Sequence, residues 1–475
     1  MSPLLRLPTE ILLQIIKKVL PSDLENFCRC CKELEGISAR ALQNHQSMKT
    51  RHSTIFCGTS DESLTILHSS QHPVTILRAI LEDDHYVHYP KEIRIGSCGP
   101  HMYDEADPQV KTETLAAIQE VGNQIVALVS KSPYLKDEDT VDRWIKVIAS
   151  GDGRACAALA ISLLPNLRSI TMANFSGQDD EMIEMLGGIS RASIEAPPAK
   201  LPALSKLSGV RILNSSREWD NFVLLEFFAQ LPSVRTLYGN NIEGEFSAIR
   251  SCPRDFEPRH LGVTEIVLEQ SSVAAASFAE LFSESTALQK VKYEAITPEA
   301  GLDFAFWEPD VIVALLLRYA TDTLIELDLT LHDRQFRTID FHHEEFMGSL
   351  RRFTSLKHVR VDSALFFHKV ARTWFFDGSG GPENDFSYAE DPMTDPPEPL
   401  AKVLPISIET LVIVGDLTTW NATRLFDGLP GLKESRLPKL QSVTFESPGE
   451  WLVLAEVKDV EKACGISLRC SETVA

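Results

Sequence analysis

LPTEILLQIIKKVLPSDLENFCRCCKEL, residues 7–34, is the stretch on which the reading of this 475-residue chain turns. Leu7-Pro8 opens a helix, because proline at the first helical position gives up no needed donor and already has a helical φ. From there Ile11, Leu12, Ile15, Ile16 and Val19 recur at helical spacing and make a wide apolar face. Pro21 ends that helix, and Ser22-Asp23-Leu24-Glu25 reads as a capping box, with serine and glutamate satisfying each other's orphan amides. A second helix carries Leu24, Phe27, Cys28 and Cys31 inward. A third runs through Leu34, Ile37, Ala41 and Leu42, and His45 to Arg51 follows as a polar connector. Modules near forty residues rarely bury a sufficient core by themselves. The apolar face left over therefore asks for a partner or for the body of the same chain.

Beyond this module one six-residue pattern, apolar-x-x-apolar-x-apolar, keeps returning. It appears as Leu167/Ile170/Met172, Val263/Ile266/Leu268, Leu288/Val291/Tyr293, Leu324/Leu327/Leu329, Leu356/Val359/Val361, Ile408/Leu411/Ile413 and Leu440/Val443/Phe445. Weaker copies sit at Leu207/Val210/Ile212 and Val234/Leu237. The last two apolar positions alternate with a polar one, the period-two mark of a half-buried strand. Lys91–Ile95 reads as a further short strand. Helices are expected at Pro73–Leu81, Asp107–Ser130, Asp139–Ala149, Arg154–Leu164, Phe222–Leu231, Ala274–Phe282, Pro309–Tyr319, Glu344–Phe353 and Trp420–Leu429. Strand and helix alternate, and the strands lack the continuous Val/Ile runs of a sheet covered on both faces, so a solenoid is expected over a doubly wound sheet. Phe376–Pro399 is rich in Gly, Pro, Asp and Glu with no Lys or Arg, and reads as an acidic, loosely held insertion.

Two resemblances attach to these residues. Leu7-Pro8, Glu10-Ile11-Leu12, Ile15, Leu20, Asp23-Leu24, Cys31-Lys32 and Leu34 resemble the F-box motif, over roughly residues 3–45. That resemblance implies docking onto the Skp-type adaptor of a Skp–cullin–F-box ubiquitin ligase, and through it onto a cullin–RING assembly. The adaptor-binding residues it implies are Leu7, Pro8, Ile11, Leu12, Ile15, Leu20 and Leu24, with Glu10 and Asp23 as cap or rim contacts. The body resembles leucine-rich repeats, although the asparagine or cysteine that follows the strand in that family is absent from most copies and the repeat lengths are irregular. An F-box followed by such a body is an architecture common among fungal proteins. The expected fold is thus α/β: a three-helix F-box over residues 1–50, then an irregular leucine-rich-repeat-like solenoid over 51–475 with the insertion at about 376–399.

Bulk properties narrow the function. A net charge of −21 argues against general affinity for nucleic acid or anionic membranes. No apolar run reaches membrane-spanning length, and Arg6, Glu10 and Lys17-Lys18 interrupt any secretory signal, so a cytoplasmic or nuclear location is expected. Nine scattered cysteines fit a reducing compartment. His85-x-x-His88 and His342-His343-Glu344-Glu345 are the best metal candidates, but neither has a third ligand at convincing spacing. No metal or cofactor is expected. Phosphate-cradling glycine loops and nucleophile signatures are lacking, so catalytic groups are not expected either. The residues between the apolar strand positions point to the open face of a solenoid: Ser169, Thr171, Glu265, Val267, Lys290, Lys292, Glu326, Asp328, His358, Arg360, Thr410 and Val412. Their charged centre, Glu265, Lys290, Lys292, Glu326, Asp328, His358 and Arg360, is the expected contact row for a protein substrate. The expected function is a substrate-receptor subunit of the ligase, with a repeat scaffold that delivers no substrate as the second expectation.

Overall fold

The structure is a computed structural model that describes residues 3–58, 72–98, 108–175, 180–195, 203–214, 222–244, 262–296, 307–331, 347–366, 399–415, 423–447 and 454–472. The chain divides into two compact units, Met1–Tyr238 and Gly239–Ala475.

The first unit opens with α1 (Thr9–Lys18), α2 (Pro21–Cys28) and α3 (Lys32–Arg51). Next come β1 (Thr54–Cys57), α4 (Val74–Glu82), β2 (Glu92–Ile95), α5 (Pro108–Ser130), α6 (Glu138–Ala149), α7 (Gly153–Ser162) and β3 (Ser169–Ala173). It closes with α8 (Asp180–Glu195), β4 (Gly209–Leu213), α9 (Phe222–Ala229) and β5 (Thr236–Asn240), whose last residues cross the division. Strands β1 to β4 pair in chain order and all in parallel: Ile55 faces Ile93, Ile93 faces Ile170, and Ile170 faces Val210. The amides of Arg235 and Thr236 continue the ladder onto the carbonyl of Ser208.

The helices between these strands lie beside one another, α4 against α5 and α7, α6 against α7, and α8 against α7 and α9. Two of them begin at side-chain caps. Asp137 caps α6 by accepting from the amide of Thr140 at 2.7 Å, and Asp152 caps α7 by accepting from Arg154 and Ala155. Helix α7, GRACAALAIS, is buried on every side, and its small residues allow that closeness. A Cβ on Gly153 would stand 2.6 Å from the carbonyl oxygen of Cys98.

The second unit holds β6 (Glu243–Gly244), β7 (Glu265–Val273), α10 (Ala275–Glu284), β8 (Lys290–Ala295), α11 (Pro309–Tyr319), β9 (Glu326–Leu331) and β10 (His358–Asp362). It continues through α12 (Leu400–Val403), β11 (Thr410–Val414), α13 (Leu429–Arg436), β12 (Ser442–Ser447), α14 (Leu454–Cys464) and β13 (Ser467–Glu472). Here too β7 to β13 pair in chain order and in parallel, while β6 adds to β7. In both units the three apolar residues of each six-residue pattern are buried. The residues between them on the strands are mostly half-exposed, so one face of each sheet is packed and the other open.

Several expectations need correction. The segment from His45 to Arg51 is no connector: it is the last two turns of α3. Glu344–Phe353 shows only a single 3-10 turn at Leu350–Arg352 within its described part. The helix expected at Trp420–Leu429 is interrupted at Gly428, whose φ of 71° lies in the left-handed region, and helix resumes as α13 with Pro430 in its first turn. The acidic insertion lies outside the described residues except for Pro399, and His342 to Glu345 lie outside them entirely.

One histidine ties this framework to pH. His72 is buried; its Nε2–H donates to the carbonyl of Gly151 at 3.2 Å and its Nδ1 accepts from the amide of Val74 at 3.1 Å. Burial, only partly opposed by Gly151 and Asp152, lowers its pKa to about 4. The unfolded chain binds this proton below the ordinary histidine value of roughly 6.5, while the folded one resists it. The stability contribution is therefore full above about pH 6.5 and fades as pH falls towards 4, by about 2–3 kcal/mol in all. A thermal unfolding series from pH 7.5 to 4 should show wild type losing this increment, whereas His72→Asn starts less stable and loses correspondingly less across the same window.

Candidate functional site

The N-terminal module is held by its own small core and leaves a second apolar set outside. Ile16, Leu24 and Cys28 form that core, with Val19, Phe27, Ile37, Ala41 and Leu42 packed against it. Leu12 is buried as well, at 2% exposure. Of the seven residues assigned to adaptor binding, Leu12 and Leu24 are therefore buried in this structure. Leu7, Pro8, Ile11 and Leu20 are exposed and Ile15 is half-buried. Ile11 and Ile15 sit one turn apart on α1, flanked by Leu7 before the helix and Leu20 after it. Leu13, on the same helix, is also outside. Four of the nine large apolar side chains most exposed among the described residues, Leu7, Ile11, Leu13 and Leu20, fall within fourteen positions, each 38–50% exposed. Such a concentration leaves water in contact with surface that association would cover.

The expected capping box does not form. Pro21 occupies the first position of α2 and Leu20 the cap, so Ser22 lies inside the helix and makes no capping bond. Glu25 instead turns to α3. It accepts from Lys49 Nζ and Gln46 Nε2, each at 2.8 Å, and its Oε1 lies 3.3 Å from His45 Nε2. The hydrogen bond from Lys49 is the largest influence lowering its pKa to about 2. His45 is buried, and its Nδ1 lies 3.1 Å from the hydroxyl of Tyr89, just before β2. His52, one residue past α3, sets its ring edge-on to Tyr86 with centroids 5.0 Å apart. The helical module is thus anchored through α3 to the start of the sheet rather than hung on a linker.

The charged row of the second unit is brought together as its strand positions imply, and it is largely spent on itself. Glu265, Lys290, Glu326 and His358 are register partners across β7 to β10, and Val267, Lys292, Asp328 and Arg360 form the next row. Lys290 Nζ stands 3.3 Å from both Glu265 and Glu326. Burial opposes the charge of Lys290, but Glu326 and Glu265 outweigh it and hold its pKa above the ordinary value. Lys292 reaches Glu269 at 2.6 Å. Arg360 joins Asp328 at 3.2 Å to Glu446 at 3.0 Å, and burial raises the Asp328 carboxyl against the pull of Arg360 and Lys292. His358 Nδ1 lies 2.9 Å from the hydroxyl of Thr410. The partners Glu269 and Glu446 escaped the sequence reading, although both occupy the same alternating face two residues beyond the expected rows.

His85 precedes and His88 ends a 3-10 turn, and burial followed by repulsion from His85 and Lys206 lowers the pKa of His88. No group of three or more potential metal ligands occurs among the described residues. No helix among them is long and apolar enough to cross a membrane.

Residues 4–39 match the family model of the F-box domain. No curated protein matches the chain.

Two variants probe the electrostatics described. Glu25→Gln removes the carboxylate that gathers Lys49, Gln46 and His45, at a cost of about 1 kcal/mol at pH 7. Because the folded pKa is depressed to about 2, the wild-type advantage should be full above the ordinary glutamate value, shrink as pH falls below it and vanish near pH 2 in paired melts. Arg360→Leu strands Asp328 without its cation and should cost about 2 kcal/mol in chemical denaturation. Adding Asp328→Leu should recover most of that loss.

Proposed function

We propose that this F-box-bearing chain is a substrate-receptor subunit of a Skp–cullin–F-box ubiquitin ligase. An F-box domain implies a subunit that binds a Skp-type adaptor, and the match over residues 4–39 is the observation that carries the reading. The docking surface is the outward apolar set Leu7, Pro8, Ile11, Ile15 and Leu20, extended by Leu13. Exposed aliphatic side chains at helical spacing suit an apolar groove, where a few well-buried anchors contribute most of the affinity. Leu12 and Leu24 act by holding α1 and α2 in place.

The rest of the chain is a leucine-rich-repeat-like solenoid whose open sheet face takes up a protein substrate. Parallel strands in chain order within each unit, a return helix between many of them, and a single buried stripe per strand support that reading. Ubiquitin transfer falls to an E2 enzyme held elsewhere in the complex. This polypeptide supplies position and effective concentration, which convert an encounter between two proteins into a local event.

The test is a pull-down with purified Skp-type adaptor, comparing wild type with Ile11→Asp/Leu20→Asp. Both residues are exposed, so the variant should remain folded by circular dichroism while two charges forced into an apolar groove abolish capture. A folded wild-type protein that fails to capture the adaptor sinks the proposal, as does undiminished capture by the variant.

A further inference from the structure

The open face of the first unit carries a different chemistry from that of the second. Phe56, Arg94, Thr171 and Arg211 are register partners on four consecutive parallel strands, β1 to β4, and Tyr238 on β5 lies beside Arg211. The row therefore reads aromatic, cation, buried hydroxyl, cation, aromatic, with Thr171 only 4% exposed between the two arginine strands. Arg94 lies over the Phe56 ring at 5.3 Å and donates to Glu92 at 2.7 Å. Arg211 is exposed, and its guanidinium lies over the ring of Tyr238 at 4.4 Å. No carboxylate among the described residues forms an ion pair with it. On the second unit, by contrast, Lys290, Lys292 and Arg360 each have a carboxylate partner on the sheet.

A guanidinium held over an aromatic ring can still offer its fork of N–H donors to a carboxylate, which it matches bidentately. The tyrosine also holds the fork in place, so less side-chain freedom is lost on binding. An unneutralised cation, on a chain whose net charge is −21, selects its partner by charge complementarity. Phe56, 38% exposed three strands away, supplies an apolar contact at the other end of the row. Strands spaced about 4.8 Å apart put some 14 Å between Phe56 and Arg211, which about five extended residues span. Glu92 already places one negative charge on this face beside Arg94, which favours a singly charged carboxylate over a doubly charged group.

We propose that the open face of the first unit, centred on Arg211 over Tyr238, docks a short extended acidic segment of a protein, with an Asp or Glu on Arg211 and an apolar residue towards Phe56. This inference deepens the receptor reading, on which it rests for its biological meaning, by naming the class of segment the sheet accepts.

The experiment selects a random dodecapeptide display library on the full-length chain, on Arg211→Gln and on Arg211→Glu, with adaptor pull-down run on the same preparations. The expected result is enrichment on wild type of peptides pairing an acidic residue with an apolar one about four positions away. Binding of a synthetic peptide carrying the enriched sequence should fall about tenfold in Arg211→Gln. Arg211→Glu should no longer enrich acidic peptides. Enrichment of non-acidic peptides on wild type, acidic enrichment unchanged in both variants, or no enrichment at all overturns the proposal. Adaptor capture in those same cases leaves the receptor reading standing, whereas loss of adaptor capture with Arg211-dependent selection intact sinks the receptor reading alone.

Discussion

A strand lying parallel to its predecessor cannot be joined to it by a tight turn. The chain must travel back along the full strand length, and a dozen or more residues, usually a helix, make that journey. Within each unit every main-sheet strand obeys this constraint, because pairing follows chain order throughout. Among the described residues the return segments cover one face of the sheet in each unit and leave the other open. That asymmetry explains why burial alternates along β2, β5 and β8, and why the first apolar residue of each six-residue pattern lies two residues ahead of its strand. It packs where the chain turns in from the return segment.

The strands with the full pattern were legible because two signals coincide there, the alternation within the strand and the apolar residue before it. Strand β1 was not, since TIFC offers only Ile55 and Cys57 as buried positions and no apolar residue leads into it. Strand β13 is faint for a related reason: of the alternating Ile466, Leu468 and Cys470 only Ile466 is buried, and it lies before the strand. Helix α8 was hidden by Gly187-Gly188, residues that normally argue against helix. Packing requires one of them: a Cβ on Gly188 would lie 2.4 Å from the carbonyl oxygen of Tyr134. In the docking module the apolar residues were legible and their division between core and surface was not. Leu12 and Leu13 are neighbours of equal hydrophobicity, and only the rotation of α1 against α2 and α3 sends one inside and the other out.

Charge was the poorest guide. Alternating signs along β7 to β10 read as a surface prepared for a partner, yet cross-strand neighbours of opposite sign satisfy each other first. Among the described residues Arg211 carries no such partner, but in sequence it is one arginine among many. What distinguishes it is the pairing register that leaves no acid beside it and the tyrosine on the next strand beneath it.

Helix α3 runs without a break from the core of the N-terminal module to the residue before His52, a rod of twenty residues whose far end is fastened by His45 to Tyr89 and by His52 to Tyr86. The seam between module and body is therefore not where the motif stops. A chimera cut after residue 45 would sever a continuous helix and leave Tyr86 without its ring partner. A junction placed beyond β2 would carry the whole joint with it. For transplantation the smallest self-consistent cassette is the three helices together with the first two strands, and the orientation at which the body is presented travels with that cassette.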